Sequence, residues 1–295
     1  MLLFGNISVV FFMKTFLVIL VALCILSVPV SNTQAQTVTF SQEEVQSILK
    51  LLDELRAKFA GKKMQTSTAA GVRIHCKLPK GGSQFGLASD GTYFYFMDKV
   101  NQTMYQMKKS DCSSLVKKNK KFNIMGSGMV FAGGYFYAID GAQSLSSQPH
   151  QVSLHKYNTT FNLVGTYPLD IDGDKELSPL AIQGVTYQAA TGRILFVTNG
   201  ENDAVYSTSL TGGGVKKEMM SPYSASYGIA ESKDSLFLAG DDVTVINKAT
   251  DGRKTISLKD LGTNRYVTSL YFDEGTKTLF GIDNTSDQIF SVGVR

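Results

Sequence analysis

The chain contains no tryptophan, three histidines, three cysteines and six prolines in 295 residues. Three cysteines are too few for a small domain held together by a disulfide scaffold. The histidines, His75, His150 and His155, form no His-Glu-x-x-His and no paired His–Cys spacing, and Gly-x-Ser-x-Gly is absent. The zinc-hydrolase and serine-hydrolase templates therefore fail. Charged residues make up only 18% against 43% hydrophobic, which excludes a disordered chain. A formal charge of +4 is too mild to argue for nucleic acid as a partner. With no titratable cluster to assign, the chain is read as a non-enzyme with no catalytic residues. What is abundant is glycine (27), phenylalanine (18) and tyrosine (13).

The first segment reads as a targeting signal. Met13-Lys14 opens it, an apolar run from Phe16 to Val28 follows, and Pro29, Ser31, Asn32 and Thr33-Gln34-Ala35 lead to a cleavage point after Ala35. Residues 1–35 are thus expected to be a signal peptide, with Met1 and Met13 both open as the start. An uncleaved anchor is the alternative, but Lys14 divides the apolar stretch and leaves a run short for a bilayer. The expected location is secreted and extracellular, with no membrane anchor retained after cleavage. Cys24 leaves with the leader, and Cys76 and Cys112 remain as an even pair in an oxidising compartment. One disulfide between them is expected, with intermolecular pairing as the alternative. Three sequons, at Asn101, Asn158 and Asn284, fall in expected turns and are candidate glycosylation sites.

Residues 36–71 are expected to form a short amphipathic helix and a linker. Ser41-Gln-Glu-Glu44 is a capping box, and the helix runs to about Lys62. Val45, Ile48, Leu52, Leu55 and Phe59 follow heptad spacing for about two heptads. Such a face can pack on the domain or join copies of the chain through residues 41–62. Residues 63–71 read as the linker.

From Val72 onward the pattern changes to short strands. Tyr93–Asp98, Tyr135–Asp140, Ile194–Asn199, Leu236–Asp241 and Leu279–Asn284 are five variants of one apolar, aromatic-rich run closed by Asp or Asn. The closing residues are 42, 59, 42 and 43 apart. A second short strand precedes each run, starting at Gly86, Gly128, Gly184, Gly228 and Ser269, and a third follows it. A period of about 42 residues with three or four strands per unit is the signature of propeller blades. A β-sandwich does not account for the near-constant period. The fold expected for residues 72–295 is all-β, a five-bladed β-propeller, preceded by the short N-terminal α-helix. Val72–Leu78 is placed to supply the missing outer strand of the last unit and close the ring.

Two stretches resemble the olfactomedin domain. Tyr266–Asn284 with Gln288-Ile-Phe-Ser is similar to its last blade, and Gly126-Ser-Gly-Met-Val-Phe-Ala-Gly-Gly-Tyr-Phe-Tyr137 to its Gly-Thr-Gly-x-Val-Val-Tyr element. The resemblance implies a secreted five-bladed propeller, often behind a coiled coil. It implies a role in matrix assembly, cell adhesion or tissue development, with extracellular protein or glycan partners. Ile282 stands where that family has Trp, and Phe85-Gly-Leu is nearest to its Gly-x-Trp-Met-x-Asp element. The family's disulfide would join Cys76 to the position of Lys233 and leave Cys112 to pair otherwise. Its channel Ca²⁺ would fall at Gln183, Gly228 and Tyr271, which offer no hard-cation site, so no channel metal is carried over.

Two further groups remain. Asp170, Asp172 and Asp174 alternate in an acidic stretch that either wraps a Ca²⁺ or is a solvated loop. Apart from that Ca²⁺, no cofactor is expected. Lys108, Lys109, Lys117, Lys118, Lys120 and Lys121 crowd 14 residues around Cys112. They read either as a patch for anionic glycans or as a solubilising face on an edge strand. The function expected is a non-enzymatic extracellular interaction protein. A glycan-binding, lectin-like propeller and, behind it, a secreted propeller hydrolase are the alternatives.

Overall fold

The computed structural model describes residues 65–66, 70–80, 83–98, 100, 103–113, 115–118, 128–140, 152–169, 181–199, 204–222, 227–262 and 265–294. The expected leader, the expected helix at 41–62, Asn101 and the acidic stretch 170–176 lie outside the described residues.

Two strands come first, β1 (Gln65–Thr66) and β2 (Ala70–Lys77). Blade one follows as β3 (Gln84–Ser89), β4 (Tyr93–Asp98), β5 (Thr103–Lys108) and β6 (Val116–Lys118). Blade two is β7 (Met129–Ala132), β8 (Tyr135–Asp140), β9 (Ser153–Tyr157) and β10 (Leu163–Pro168). Blade three is β11 (Ala181–Gln188), β12 (Arg193–Asn199), β13 (Ala204–Thr208) and β14 (Lys216–Met220). Blade four is β15 (Gly228–Glu231), β16 (Ser235–Ala239), β17 (Val243–Asn247) and β18 (Arg253–Ile256). Blade five is β19 (Val267–Asp273), β20 (Thr278–Asp283) and β21 (Gln288–Gly293), completed by β2. Every pairing inside a blade is antiparallel, and the chain closes its own ring because β2 lies against β21, with Ile74 opposite Phe290. The expected closing strand is therefore present. Its reach is longer than expected: Ala70 and Gly71 belong to β2, and Gln65–Thr66 pair in parallel with Lys254–Thr255 on the rim of blade four. Part of the stretch read as a linker is strand.

The middle strands show why the period was visible. Each is flanked by neighbouring blades on both faces, so it reads as a continuous apolar run and not as an alternation. Phe94 and Phe96 pack toward blade five with Phe280, Ile282 and Ile289. Tyr95 and Met97 point the other way, to Met129, Phe136 and Ala138 of blade two. Five buried clusters of this kind fill the five spaces between blades. The outer strands β10 and β14 have a neighbour on one side only and are correspondingly exposed.

Two of the acids that close middle strands, Asp98 and Asp283, hold the ends of blades one and five. Asp98 accepts from the backbone N–H of Ser83, ahead of β3, and of Val100 in its own turn, at 3.4 and 3.0 Å. Asp283 does the same for Tyr266 and Thr285, both at 3.2 Å, and takes the Gln288 side-chain amide on its other oxygen. In blades one and five the acid thus fastens the residue ahead of the inner strand to the end of the middle strand.

Candidate functional site: a sealed axis and a latched seam

A propeller's axis is where side chains from several blades converge, and it is the first place to look for a site. Here the innermost strands meet backbone to backbone. A β-carbon on Gly128 would lie 2.4 Å from the Val185 nitrogen, one on Gly184 2.8 Å from that of Ile229, and one on Gly228 3.0 Å from the Ser269 carbonyl carbon. One on Gly86 would lie 3.0 Å from the Met129 nitrogen. Four glycines thus take the equivalent place in four blades, and the fifth blade has Ser269. The described lining is Gly86, Leu87, Gly128, Met129, Gly184, Val185, Ile229, Ser269 and Leu270, with no titratable side chain and no space for a water molecule. The glycines stood out in the sequence only as strand starts; their close approach is a property of the closed ring.

The resemblance placed Gln183, Gly228 and Tyr271 at this axis. Gly228 is in the ring and Gln183, buried, immediately precedes Gly184. Tyr271 is elsewhere, packed between blades five and one against Phe94 and Phe280.

Ser269 closes the circle at the seam where the two ends of the domain meet. Its hydroxyl accepts from the Gly86 N–H at 2.6 Å and donates to the Thr268 carbonyl at 2.8 Å. Thr268 donates to the Gln84 carbonyl at 2.7 Å, and Asn284 Oδ1 accepts from the Gln84 N–H at 2.9 Å. Ser269→Ala leaves the buried Gly86 N–H without its partner, which costs about 1–3 kcal/mol. Urea unfolding is expected to show a lower midpoint at unchanged slope; an unchanged midpoint would mean that this bond contributes nothing to closure.

The other end of the same seam carries the disulfide. Cys76 on β2 bonds Cys112 in the turn after β5, with Cα atoms 5.5 Å apart. The intramolecular pairing expected from the cysteine count is the one found. Cys112 adopts φ 59° in that turn, where its N–H donates to the Lys108 carbonyl at 3.0 Å. His75 accompanies the bond: its Nε2 is 2.8 Å from the Lys109 carbonyl and its ring packs edge-on to Phe280. The close grouping of His75 with the two sulfurs is a consequence of the disulfide.

Lys109 belongs to this seam and not to an open basic patch. Its ammonium pairs with Asp273 of blade five, both side chains being largely buried, and lies 5.8 Å from the Tyr271 ring centre. Burial alone would raise the Asp273 carboxyl, but the Lys109 ammonium and the N–H groups of Gly275 and Thr276 outweigh it and hold the group below the usual carboxylate range. Burial pushes the Tyr271 phenol up, and the nearby Asp273 charge adds to this. Lys108 is exposed and lies 3.3 Å from Asp111, a surface pair of small energetic weight. Of the six lysines in that stretch, Lys109 is engaged in a buried ion pair and Lys108 in an exposed one. Lys117 and Lys118 fall on β6, but their side chains, like Lys120 and Lys121 altogether, lie outside the described residues. Asp170, Asp172 and Asp174 lie outside them as well.

Of the sequon residues, Asn158 sits in the β9–β10 turn and Asn284 at the blade five–blade one seam. His155, on β9, has its Nδ1 3.2 Å from Thr166 Oγ1, an exposed cross-strand contact.

No known protein family matches the chain, and no curated protein matches it in sequence. Solved structures match it in shape. The PQQ-bound form of an aldose sugar dehydrogenase from Streptomyces coelicolor superposes with a TM-score of 0.51 at 12% identity, over 78% of this chain and 100% of that one. A gluconolactonase from Xanthomonas campestris gives 0.48 at 10% identity, over 76% and 89%. A chain of a nidogen/laminin complex gives 0.46 at 14%, over 70% and 78%. At these identities the likeness speaks for the fold and for nothing of the chemistry.

Proposed function

We propose that the chain is a secreted, non-enzymatic interaction protein of olfactomedin-like type, which engages extracellular protein or glycan partners in matrix assembly, cell adhesion or tissue development. The observation that carries the reading is the sealed axis. An enzyme built on this architecture needs converging polar groups and room for a substrate, and the described lining offers apolar side chains, closely approaching glycine backbone and the one hydroxyl of Ser269. Recognition then falls to the loops at the blade ends and to the rim. The Cys76–Cys112 bond supports an oxidising destination, since such bonds persist outside the cytosol.

Expression of the full chain in a secreting animal cell line tests this. The protein is expected in the medium, shortened by residues 1–35, with Cys76 and Cys112 resistant to alkylation until reduced. Retention in the cytosol with both thiols alkylated would overturn the reading. Proximity labelling from the secreted protein in its tissue matrix then reads the partner class. Enrichment of matrix or cell-surface proteins supports the interaction role.

A further inference from the structure

We propose that Asn158 carries an N-linked glycan and that Asn284, in a sequon of the same form, stays unmodified in the folded protein. The inference rests on the secreted reading above and goes beyond it by separating two sites that the sequence presents as equivalent.

The Asn158 side chain organises its own turn. Oδ1 accepts from the Thr160 N–H at 3.1 Å, the Thr160 hydroxyl at 2.8 Å and the Asn162 N–H at 2.9 Å. The backbone closes the same loop, Asn158 N–H to the Asn162 carbonyl at 3.0 Å and Phe161 N–H to the Asn158 carbonyl at 2.9 Å. Phe161, at φ 59°, anchors the loop by burying its ring beside Phe136 and Tyr95, at 4.9 and 5.7 Å. Thr159, Thr160 and Asn162 remain exposed. The side-chain bonds of Asn158 given among the described residues are all made through Oδ1. Nδ2 makes none among the described residues, so exchanging one of its hydrogens for a sugar breaks no contact of the fold.

The donor for this exchange is an oligosaccharide carried on a lipid pyrophosphate. Asn158 Nδ2 attacks the anomeric carbon, and a C–N bond forms as the C–O bond to the pyrophosphate breaks. The pyrophosphate leaves with the bonding pair, and the nitrogen gives up one proton.

Asn284 is differently employed. Its Oδ1 accepts from the Gln84 N–H across the seam at 2.9 Å. Its Nδ2 faces Ser83 Oγ at 3.4 Å, and its backbone N–H donates to the Tyr266 carbonyl at 2.9 Å. Gln84 is fully buried, and a side-chain contact from each of Thr268, Ser269 and Asn284 of blade five fastens Gln84–Gly86. A sugar on Nδ2 would stand where blade one approaches and would compete with ring closure. The bare asparagine is the form compatible with the closed ring. The β9–β10 turn is also at the opposite end of the blades from the turn after β20. A glycan on Asn158 therefore leaves the Asn284 end of the propeller clear.

Site mapping by peptide mass spectrometry, after enzymatic release of N-glycans in ¹⁸O water, tests both halves on protein from the medium. Asn158 is expected to read as ¹⁸O-labelled Asp and Asn284 as unlabelled Asn. Asn158→Gln is expected to lose one glycan's gel shift, and Thr160→Ser, which keeps the sequon and the hydroxyl, to retain it. Unlabelled Asn at 158, or ¹⁸O-labelled Asp at 284 in the folded fraction, would overturn the proposal. A second version, with residues 1–35 exchanged for the leader of an established secreted protein, separates the two readings. If only this version reaches the medium, the secreted reading fails, while its label pattern still decides the glycan proposal.

Discussion

Removal of the Cys76–Cys112 bond, by Cys76→Ser with Cys112→Ser or by reduction, is expected to lower stability by about 4 kcal/mol. The bond closes a loop of 36 residues, and the unfolded chain's entropy gain on opening such a loop has that size. For a domain of this length the melting temperature should drop by roughly 10 °C. The location makes the effect specific. Cys76 lies on β2, the strand that completes blade five, and Cys112 lies in blade one, so the bond crosses the junction at which the ring is closed. Loss of hydrogen-exchange protection is expected to start in β2 and at the Gly86–Ser269 contact, with blades two and three following only in global unfolding. If the double variant melts with the wild type, the remaining bonds of the seam, Lys109–Asp273 among them, suffice for closure and the bond is redundant.

Gly128→Ala is expected to cost roughly 3 kcal/mol, a second change of the order of 10 °C, although it adds a single methyl group. The new carbon would sit 2.4 Å from the Val185 nitrogen and 2.8 Å from one of its methyl groups. Backbone cannot rotate away as a flexible side chain can, so two inner strands must separate. Gly184→Ala and Gly228→Ala meet backbone at 2.8 and 3.0 Å, and their costs should fall in that order. Gly71→Ala, with nothing within 4 Å and an exposed site, is the control and should change stability by less than about 0.5 kcal/mol. Equal effects at Gly71 and Gly128 would show that the innermost strands are not in contact.

Much of this architecture was readable before any coordinates, and the reason is burial. Tyr93–Asp98 and Tyr135–Asp140 coincide with β4 and β8 because strands covered on both faces must be apolar throughout, and Asp98 and Asp283 close their strands by accepting a backbone N–H from just ahead of the blade's inner strand. The fourth strands were not readable. Lys216–Met220 has a neighbour on one side only and is exposed, and the charged composition of this strand and of Arg253–Ile256 resembles that of loops. The two residues of β1, Gln65–Thr66, are too short a run to carry a strand signal in the sequence. The site was legible in part. Four glycines and a serine stood at equivalent positions of the repeat, but the contact between them exists only once five blades share one axis. Lys109 read as part of a basic cluster because its partner, Asp273, is 164 residues away. The Asn284 clasp was hidden for the same reason: Gln84 lies 200 residues earlier in the chain.

The most direct test of the central claim is native-state hydrogen exchange along the five inner strands. A sealed axis predicts that peptides covering Gln84–Ser89, Met129–Ala132, Ala181–Gln188, Gly228–Glu231 and Val267–Asp273 exchange last and together, at the rate of global unfolding. An open, solvent-filled channel would let these amides exchange locally and ahead of the middle strands, and that result would contradict the account.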